Sequence, residues 1–352
     1  MQETARETVL VTGGSGFVAS HVILQLLQAG KTVRTTVRSL RNAEKIAPLQ
    51  KMRAQFDNRL ELFEADLLRD GSFDAAMADC SIVYHVASPF KLPEKIKDGQ
   101  REMVEPALRG THNVLGSVNR TPSVRKVVMT STIGAIFGDY ADVRRMKNNT
   151  VAEEYFNTTS TVDNNPYHYS KVLAEKAAWA KAKEQDRWEL ITINPGMILG
   201  PSLTPASESG SLFLLDEMFK GYFFYGMPDL SLACVDVREV AAAHIRAAEN
   251  PAARGRYIVA EDHTRSFLEI ASVARRVHPR PYLLPTWQIP NAVVRLVGPL
   301  FGLTQSYMTN HLGIRFALDN HRSREELGIT YRPFSETIAD HYQSWADQRG
   351  RS

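Results

Sequence analysis

Short apolar runs alternate with longer amphipathic stretches through the first part of the chain. Each short run consists of apolar or β-branched residues, which predicts a buried β-strand. Between the runs, apolar residues recur at helical spacing, and the first such stretch, residues 17–30, ends at Gly30, a typical helix stop. This alternation predicts βαβ units and a parallel sheet. The predicted strands are residues 8–12, 32–37, 59–65, 81–87, 126–132 and 188–195.

The pattern changes after Pro195. Helical stretches at 236–250 and 266–277 are mixed with isolated strands such as 256–260. No internal repeat or low-complexity linker separates the two parts of the chain. We therefore predict an α/β fold with a smaller, mostly C-terminal lobe.

Composition limits the class of protein and of partner. Of 352 residues, 43% are hydrophobic and 23% charged, as in ordinary soluble globular proteins. The formal net charge of +3 is too small to indicate nucleic acid or an anionic membrane as a partner. The two cysteines, Cys80 and Cys234, lie in apolar stretches, which favours reduced thiols. The first ten residues contain no apolar signal segment, so we expect a cytoplasmic protein.

A glycine-rich turn follows the first predicted strand. It contains Gly13, Gly14 and Gly16, and a helical stretch follows it. Bare backbone at this point allows a tight turn and the close approach of a pyrophosphate, which N–H groups at the helix N-terminus would bind. The alternative is a tight strand–helix connection without a ligand. Because a strand precedes the turn and a helix follows it, we predict a Rossmann-type, doubly wound sheet that binds a dinucleotide.

Basic residues surround the end of the second predicted strand, where NAD-selective folds place an acidic residue on the ribose. No Asp or Glu stands at the end of strand 32–37. The stretch instead contains Arg34, Arg38, Arg41 and Lys45. A guanidinium binds a phosphate dianion through two hydrogen bonds, so Arg38, at the strand end, favours NADP(H) over NAD. The alternative is a solvated basic helix start, which suits Arg41 well.

Candidate catalytic groups lie in two segments. Tyr167 and Lys171 are spaced i, i+4 in a helical stretch, so their side chains point the same way. A cation beside a phenol lowers its pKa from about 10, which makes Tyr167 usable as a proton donor and acceptor. Thr130, Ser131 and Thr132 stand at the carboxyl end of the fifth predicted strand, where ligands bind in parallel sheets. The alternatives are that Tyr167 and Lys171 are an exposed pair on a helix and that the three hydroxyls only make hydrogen bonds at the end of the strand.

Together these segments resemble the extended short-chain dehydrogenase/reductases. Within that family, they are most similar to the group of dihydroflavonol reductases, cinnamoyl-CoA reductases and bacterial aldehyde/ketone reductases. The motifs that carry the resemblance are VTGGSGFVAS, TVR at 36–38, FEADLLRDGSFDAAMADCSIVYHVASPF, GTHNVL, TSTIGA, YHYSKVLAEKAAW, INPGMILGP and VDVREVAAAH. The resemblance implies a Rossmann-type NADP-binding domain, residues 1–195, with a return of the chain around 231–250. Residues 196–352 would form a mainly substrate-binding lobe.

The resemblance also implies a role for each matching catalytic position. Tyr167 would be the general acid that protonates the oxygen of the reduced carbonyl. Lys171 would hold the nicotinamide ribose and lower the pKa of Tyr167. Thr132 would hydrogen-bond the substrate carbonyl, and Ser131 is the alternative for that role.

The cofactor NADP(H) would be bound along one edge of the sheet. Arg38 and Lys45 would bind its 2′-phosphate, and the remaining positions would contact its adenine, ribose, phosphate and nicotinamide groups. The implied set is Gly13, Ser15, Gly16, Phe17, Val18, Arg38, Lys45, Asp66, Leu67, Val86, Ala87, Ser88, Thr130, Tyr167, Lys171, Pro195, Gly196, Met197 and Ile198.

At two places the sequence differs from the family's patterns, and both differences limit the class of substrate. Flavonoid reductases place an Asn five residues beyond the catalytic hydroxyl, where this chain has Phe137, which argues against a polyhydroxylated flavonoid. Cinnamoyl-CoA reductases carry Asn-Trp-Tyr-Cys-Tyr-Gly-Lys, whereas residues 165–171 are Asn-Pro-Tyr-His-Tyr-Ser-Lys, which argues against a CoA thioester. An apolar aldehyde or ketone remains. The candidate pocket residues, each of which could instead be ordinary core, are Phe90, Ile133, Phe137, Met197, Leu212, Tyr225 and Met227.

These observations predict an NADPH-dependent reductase that transfers hydride to the carbonyl of a largely apolar aldehyde or ketone. Two alternatives stay open: another extended-family enzyme, such as a hydroxysteroid dehydrogenase or nucleotide-sugar epimerase/dehydratase, and a non-enzymatic NADP-binding redox sensor. We expect a small-molecule carbonyl partner, no nucleic acid or membrane partner, and a monomer or homodimer. We expect no metal, because His85 and His244 have no second ligand at metal spacing.

Overall fold

Strands and helices alternate along most of the chain in a computed structural model, which describes residues 7–89, 91, 95–204 and 209–350. The strands are β1 (Thr8–Val11), β2 (Thr32–Val37), β3 (Leu60–Glu64), β4 (Ile82–His85), β5 (Lys126–Thr130), β6 (Thr150–Val151), β7 (Glu189–Pro195), β8 (Met197–Leu199), β9 (Ser231–Asp236), β10 (Gly255–Val259), β11 (Thr264–Ser266) and β12 (Ala317–Leu318). The helices are α1 (Phe17–Gln28), α2 (Ala43–Gln55), α3 (Asp74–Met77), α4 (Glu105–Arg120), α5 (Pro166–Lys183), α6 (Gly210–Phe219), α7 (Val237–Glu249), α8 (Phe267–Ala274), α9 (Asn291–Val297), α10 (Gln305–His311), α11 (His321–Glu325) and α12 (Phe334–Gln348).

Seven parallel strands form the central sheet, in the order β10-β7-β5-β4-β1-β2-β3. The order runs outward from β1 in both directions, so Val9 pairs with Val33 on one side and with Ile82 on the other. The predicted doubly wound, Rossmann-type α/β fold is therefore confirmed. All six strands predicted before Pro195 belong to this sheet.

Alternation along the buried strands supplies both faces of the sheet with apolar side chains. In β1, Val9 and Val11 pack in one core cluster with residues of α1, α2 and α7. Leu10 points to the opposite face and packs with residues of α4 and α5. Successive side chains of a strand point to opposite faces, so one short run contributes to two cores. Helix layers on both faces leave the carboxyl edge of the sheet as the accessible site.

A second, smaller sheet, β11-β9-β8, and the helices α6, α8 and α12 make up most of the C-terminal lobe. The return of the chain predicted around 231–250 stays a prediction. Strand β9 pairs with β8 and β11 in the small sheet, whereas α7 packs on α1 and β10 pairs with β7 in the central sheet. Val235 of β9 belongs to the same core cluster as residues of α1, α7 and β7, so β9 borders both parts of the molecule.

Candidate active site

The glycine turn after β1 has no room for a side chain at Gly13 or Gly14. Gly13 has φ +74°, and a Cβ on it would lie 3.0 Å from Ala87. A Cβ on Gly14 would lie 2.2 Å from the Thr35 hydroxyl oxygen. No described side chain caps α1 at Gly16, so the N–H groups of its first turn are left for another partner at the positive end of the helix dipole. This cradle fits a pyrophosphate.

The loop after β4 is tied to the end of β1 by Thr12. The Thr12 hydroxyl oxygen accepts hydrogen bonds from the backbone N–H groups of Val86 (3.1 Å) and Ala87 (3.0 Å). These bonds hold Val86 and Ala87 close to the glycine turn, and contact of Val86, Ala87 and Ser88 with a cofactor stays a prediction. The sequence motifs did not single out Thr12, although its place at the end of a buried strand was a usable signal.

The predicted 2′-phosphate residues lie where β2 ends and α2 begins. Arg38 is exposed directly after β2, and Lys45 is half-buried in the first turn of α2. Asn42 caps this helix by accepting from the Lys45 N–H (3.1 Å). Arg34, within β2, pairs with Glu61 on the neighbouring strand at 3.1 Å.

Asn113 of α4 holds the loop that contains the predicted adenine-binding residues, Asp66 and Leu67. Its Nδ2 lies 3.2 Å from the carbonyl oxygen of Leu67 and 2.6 Å from that of Arg69, and its Oδ1 accepts from Gly71 N–H (3.0 Å). Leu67 lines the cleft, whereas Asp66 is exposed. Asn113 was missed because its partners lie more than 40 residues away in sequence.

Helix α5 carries Lys171 into the cleft. Asn165 caps the helix by accepting from the His168 N–H (3.0 Å). The Lys171 ammonium lies 3.3 Å from the Ser88 hydroxyl and 3.4 Å from the Thr130 carbonyl oxygen, so it bridges the carboxyl ends of β4 and β5. Tyr167 stands one turn before Lys171 on the same helix.

Burial sets the protonation of this pair. It raises the pKa of Tyr167 to about 12 and lowers the pKa of Lys171 to about 8, while the charge of Glu175 acts on Lys171 in the opposite direction. The expectation that Lys171 lowers the pKa of Tyr167 is therefore wrong for the chain alone, because burial of the phenol dominates. At neutral pH the pair is a neutral phenol beside a mostly protonated ammonium.

The three hydroxyls at the end of β5 point to different partners. Thr130 pairs with His244 at 2.7 Å, and Ser131 donates to the buried carboxylate of Glu175. Thr132 is half-buried and its oxygen accepts from the Gly134 N–H (3.1 Å), which leaves its own O–H able to donate. The geometry favours Thr132 over Ser131 for the carbonyl, and the role itself stays a prediction.

Residues 195–198 border the same edge of the sheet. Pro195 ends β7, and Gly196 is required next, because a Cβ there would lie 2.4 Å from the Ala233 carbonyl oxygen. Met197 and Ile198 continue into β8 and pair with β9. This segment joins the central sheet to the lobe, which suits the predicted contact with the nicotinamide.

The predicted substrate residues are distributed over several environments. Phe137 is buried against Phe316, with ring centroids 5.1 Å apart, and Met227 is buried in the lobe core. Tyr225 is exposed, while Ile133, Met197 and Leu212 are half-buried. Phe90 lies outside the described residues. Contact of these side chains with a substrate stays a prediction.

One cleft brings together part of the predicted site. Lys171, Ser88 and Thr130 line it, whereas Thr132, Tyr167 and the glycine turn do not. The residues that line the cleft are Leu67, His85, Ala87, Ser88, Pro89, Ala107, Gly110, Thr111, Met129, Thr130, Lys171 and Ala174.

In the described part of the chain, no group of three or more His, Cys, Asp or Glu is arranged to hold a metal ion. No helix in that part combines the length and apolar character needed to cross a bilayer.

Comparison with known proteins places the chain among reductases. A cinnamoyl-CoA reductase of Medicago truncatula is 36% identical over 303 residues, which cover 82% of this chain and 90% of that protein. An anthocyanidin reductase of Vitis vinifera is 36% identical over 292 residues, which cover 80% and 83%. These relatives confirm the predicted resemblance to the flavonoid and cinnamoyl-CoA reductase group.

A solved structure and a family model support the same assignment. The yeast methylglyoxal/isovaleraldehyde reductase Gre2, complexed with NADPH, superimposes with a TM-score of 0.78 at 27% identity and covers 98% of this chain and 100% of that one. The family model described as "NAD dependent epimerase/dehydratase family" matches residues 9–260, well over half of the chain. The chain belongs to the NAD dependent epimerase/dehydratase family.

Proposed function

We propose that this protein is an NADPH-dependent reductase that converts a largely apolar aldehyde or ketone to the alcohol, with Tyr167 as proton donor. One observation carries the proposal. Lys171 lies within 3.4 Å of both Ser88 and Thr130, in a cleft next to a glycine turn that fits a pyrophosphate, with Tyr167 one helical turn away. Cofactor cradle and proton donor thus share one edge of the sheet.

NADPH, when bound, supplies the hydride that is added to the carbonyl carbon. The turn from Gly13 to Gly16 would hold its pyrophosphate, and Arg38 and Lys45 its 2′-phosphate. The complex of the yeast relative with NADPH supports this cofactor. The basic residues in the connection between β2 and α2 support a preference for NADPH over NADH.

The protein residues would bind the carbonyl and supply the proton. The O–H of Thr132 would donate to the carbonyl oxygen and orient it, and the phenol of Tyr167 would transfer its proton to that oxygen as the C–H bond forms. The ammonium of Lys171 would stabilise the phenolate until solvent returns the proton. Such an acid contributes ~10²–10⁴-fold, and orientation of the reactants lowers the barrier by up to ~7–11 kcal/mol.

The substrate class is proposed from this chain's own residues. The names of the relatives point to different substrates: a CoA ester, an anthocyanidin and small aldehydes. The sequence at 165–171 lacks the Trp, Cys and Gly of the cinnamoyl-CoA reductase signature, and Phe137 replaces the Asn of flavonoid reductases. Both differences favour an apolar carbonyl without a CoA group or several hydroxyls.

The test is oxidation of NADPH and NADH, measured side by side, with an aryl aldehyde, an aryl ketone, an aliphatic α-ketoester, a dihydroflavonol and cinnamoyl-CoA. We expect turnover with NADPH and the apolar carbonyls. Tyr167→Phe should lower kcat at least 10²-fold, because the acid is lost, and should change the Kd for NADPH less than about twofold. A kcat of Tyr167→Phe within about tenfold of the wild-type value, or turnover of cinnamoyl-CoA alone, would contradict the proposal. Tight NADPH binding without turnover would favour the sensor alternative.

A further inference from the structure

A buried ion pair lies directly behind the proposed catalytic residues. Glu175 follows Lys171 by one turn of α5 and is fully buried. The Nε of Arg256, a buried residue of β10, donates to its Oε1 at 2.6 Å. Burying two charges costs free energy unless further hydrogen bonds stabilise them. The other hydrogen-bond partners of the carboxylate therefore indicate what the ion pair does in the structure.

Both carboxylate oxygens of Glu175 accept further hydrogen bonds. Besides Arg256, Oε1 accepts from the indole N–H of Trp179 (3.2 Å), which lies one turn further along α5, and from the hydroxyl of Thr192 on β7 (3.4 Å). Oε2 accepts from the Ser131 hydroxyl and from Nδ2 of Asn194 (2.9 Å). The contacts of Oε2 lead to the segment that carries the proposed carbonyl-binding hydroxyl.

Asn194 extends this contact to Thr132. Its Nδ2 also lies 3.1 Å from the Thr132 carbonyl oxygen, and the Ser131 N–H donates to the carbonyl oxygen of Ile193 at 2.7 Å. The carboxylate on α5 is thus joined through Ser131 and Asn194 to the backbone on which the Thr132 hydroxyl stands. Arg256 continues on the far side, where its guanidinium donates to the Glu153 carbonyl oxygen at 2.6 Å.

We infer that Glu175, with Arg256 as its counter-ion, is a positioning residue that fixes the Thr132 hydroxyl relative to Tyr167 and Lys171. The inference rests on the proposed function. Because α5 carries Tyr167, Lys171 and Glu175, a shift of the Thr132 segment against α5 separates the group that binds the carbonyl from the group that protonates it. Misplacement on the order of 1 Å costs ~10²-fold in rate.

A matched pair of variants tests the inference. Asn194→Ser removes the amide that joins the carboxylate to the Thr132 carbonyl oxygen and leaves the Ser131 contact, whereas Trp179→Phe removes one hydrogen bond to the other carboxylate oxygen. We expect Asn194→Ser to lower kcat at least tenfold and Trp179→Phe to change it less than about twofold, with the Kd for NADPH within about twofold in both. Glu175→Gln should lower kcat ~10²-fold. If Glu175→Gln fails to fold, the matched pair decides.

A second readout does not depend on turnover. In the cofactor-free protein, Asn194→Ser should accelerate hydrogen exchange of the backbone amides of residues 131–135, and Trp179→Phe should leave it unchanged. Equal losses of kcat in the two variants, or unchanged exchange at 131–135 in Asn194→Ser, would overturn the inference. If the wild-type protein reduces none of the carbonyls, the proposed function fails, whereas the exchange comparison still tests whether Glu175 holds this segment.

Discussion

At the scale of single residues, the lowered pKa of Lys171 predicts an alkaline limit on the reaction. Burial lowers this pKa to about 8, whereas the pKa of Tyr167 is raised to about 12, so Lys171 loses its proton first as the pH rises. A neutral amine stabilises a phenolate less than an ammonium does. We expect kcat/KM to be level at pH 6–7, to be about halved near pH 8 and to fall further above it, as measured between pH 6 and 10.

The same shift has the opposite consequence for stability. A lysine whose folded-state pKa lies below its unfolded value of about 10.4 binds fewer protons when folded, so its contribution to the free energy of unfolding rises between pH 8 and about 10. Activity and this part of the stability should therefore move in opposite directions. A rate that stays level to pH 10 would show that the charge of Lys171 is not required.

Arg38 and Arg41 offer a matched test of cofactor choice. Both are exposed near the start of α2, but only Arg38 stands directly at the end of β2. Loss of a charge-assisted hydrogen bond costs about 1.5–3 kcal/mol, so Arg38→Ala should weaken NADPH binding by roughly 10- to 100-fold. Binding of NADH should change less than about twofold, and Arg41→Ala should affect neither cofactor, as measured by fluorescence titration. Equal losses for the two cofactors would remove the argument for NADPH.

At the scale of elements, α4 controls the loop after β3 through one amide side chain. Asn113→Ala removes the bonds to Leu67, Arg69 and Gly71, and the loop that would face the adenine loses its anchor. We expect NADPH affinity to fall about tenfold, since one strong hydrogen bond is worth about 1.5 kcal/mol, while kcat at saturating NADPH is kept.

The control for this prediction lies on the same helix. The side chain of Asn119 accepts a hydrogen bond from the Trp188 indole N–H (2.8 Å), and Trp188 directly precedes β7, so this bond does not involve the loop after β3. Asn119→Ala should lower the free energy of unfolding and leave the Kd for NADPH unchanged. If both variants lose the same affinity, the effect is general loosening of α4 rather than release of the loop.

At this scale, the sequence could predict only features that depend on residues close together in the chain. The glycine turn and the alternating strands depend on residues close in the chain, so their pattern sufficed. The ion pair of Glu175 and Arg256 spans 81 positions, and the two residues meet because β10 pairs with β7 and α5 packs on that part of the sheet. The direction of the Tyr167 pKa shift was wrong for a related reason: spacing reveals the neighbouring cation but not the burial of the phenol.

At the scale of the whole molecule, the end of the chain packs back on the central body. Arg322 donates to the carbonyl oxygens of Arg254 (2.8 Å) and Arg256 (2.7 Å), and Asn320 donates to that of Ala260 (2.7 Å). Leu327 and Ile329 are buried in the core cluster that also contains residues of α1 and α7. The family match ends at residue 260, but the folded unit extends further.

A chain that ends after residue 260 should therefore fail to fold. It lacks the residues that cover β10 and those that complete the lobe core, including Tyr342 and Trp345. We expect no cooperative unfolding transition in urea and no near-ultraviolet circular dichroism signal, whereas a chain that ends after Gly350 should behave as the full chain. Cooperative unfolding of the shorter chain, with NADPH binding kept, would show that the central body is independent of the lobe.

The place of β10 at the edge of the central sheet also bears on how the protein is made. Residues 196–254 separate it from its neighbour β7, so on the ribosome β7 emerges well before its partner. Until residue 259 has left the exit tunnel, β7 is an open edge whose backbone groups can pair with another nascent chain. The most vulnerable stage of synthesis should be this interval, during which the lobe is translated, and chaperone binding should concentrate there.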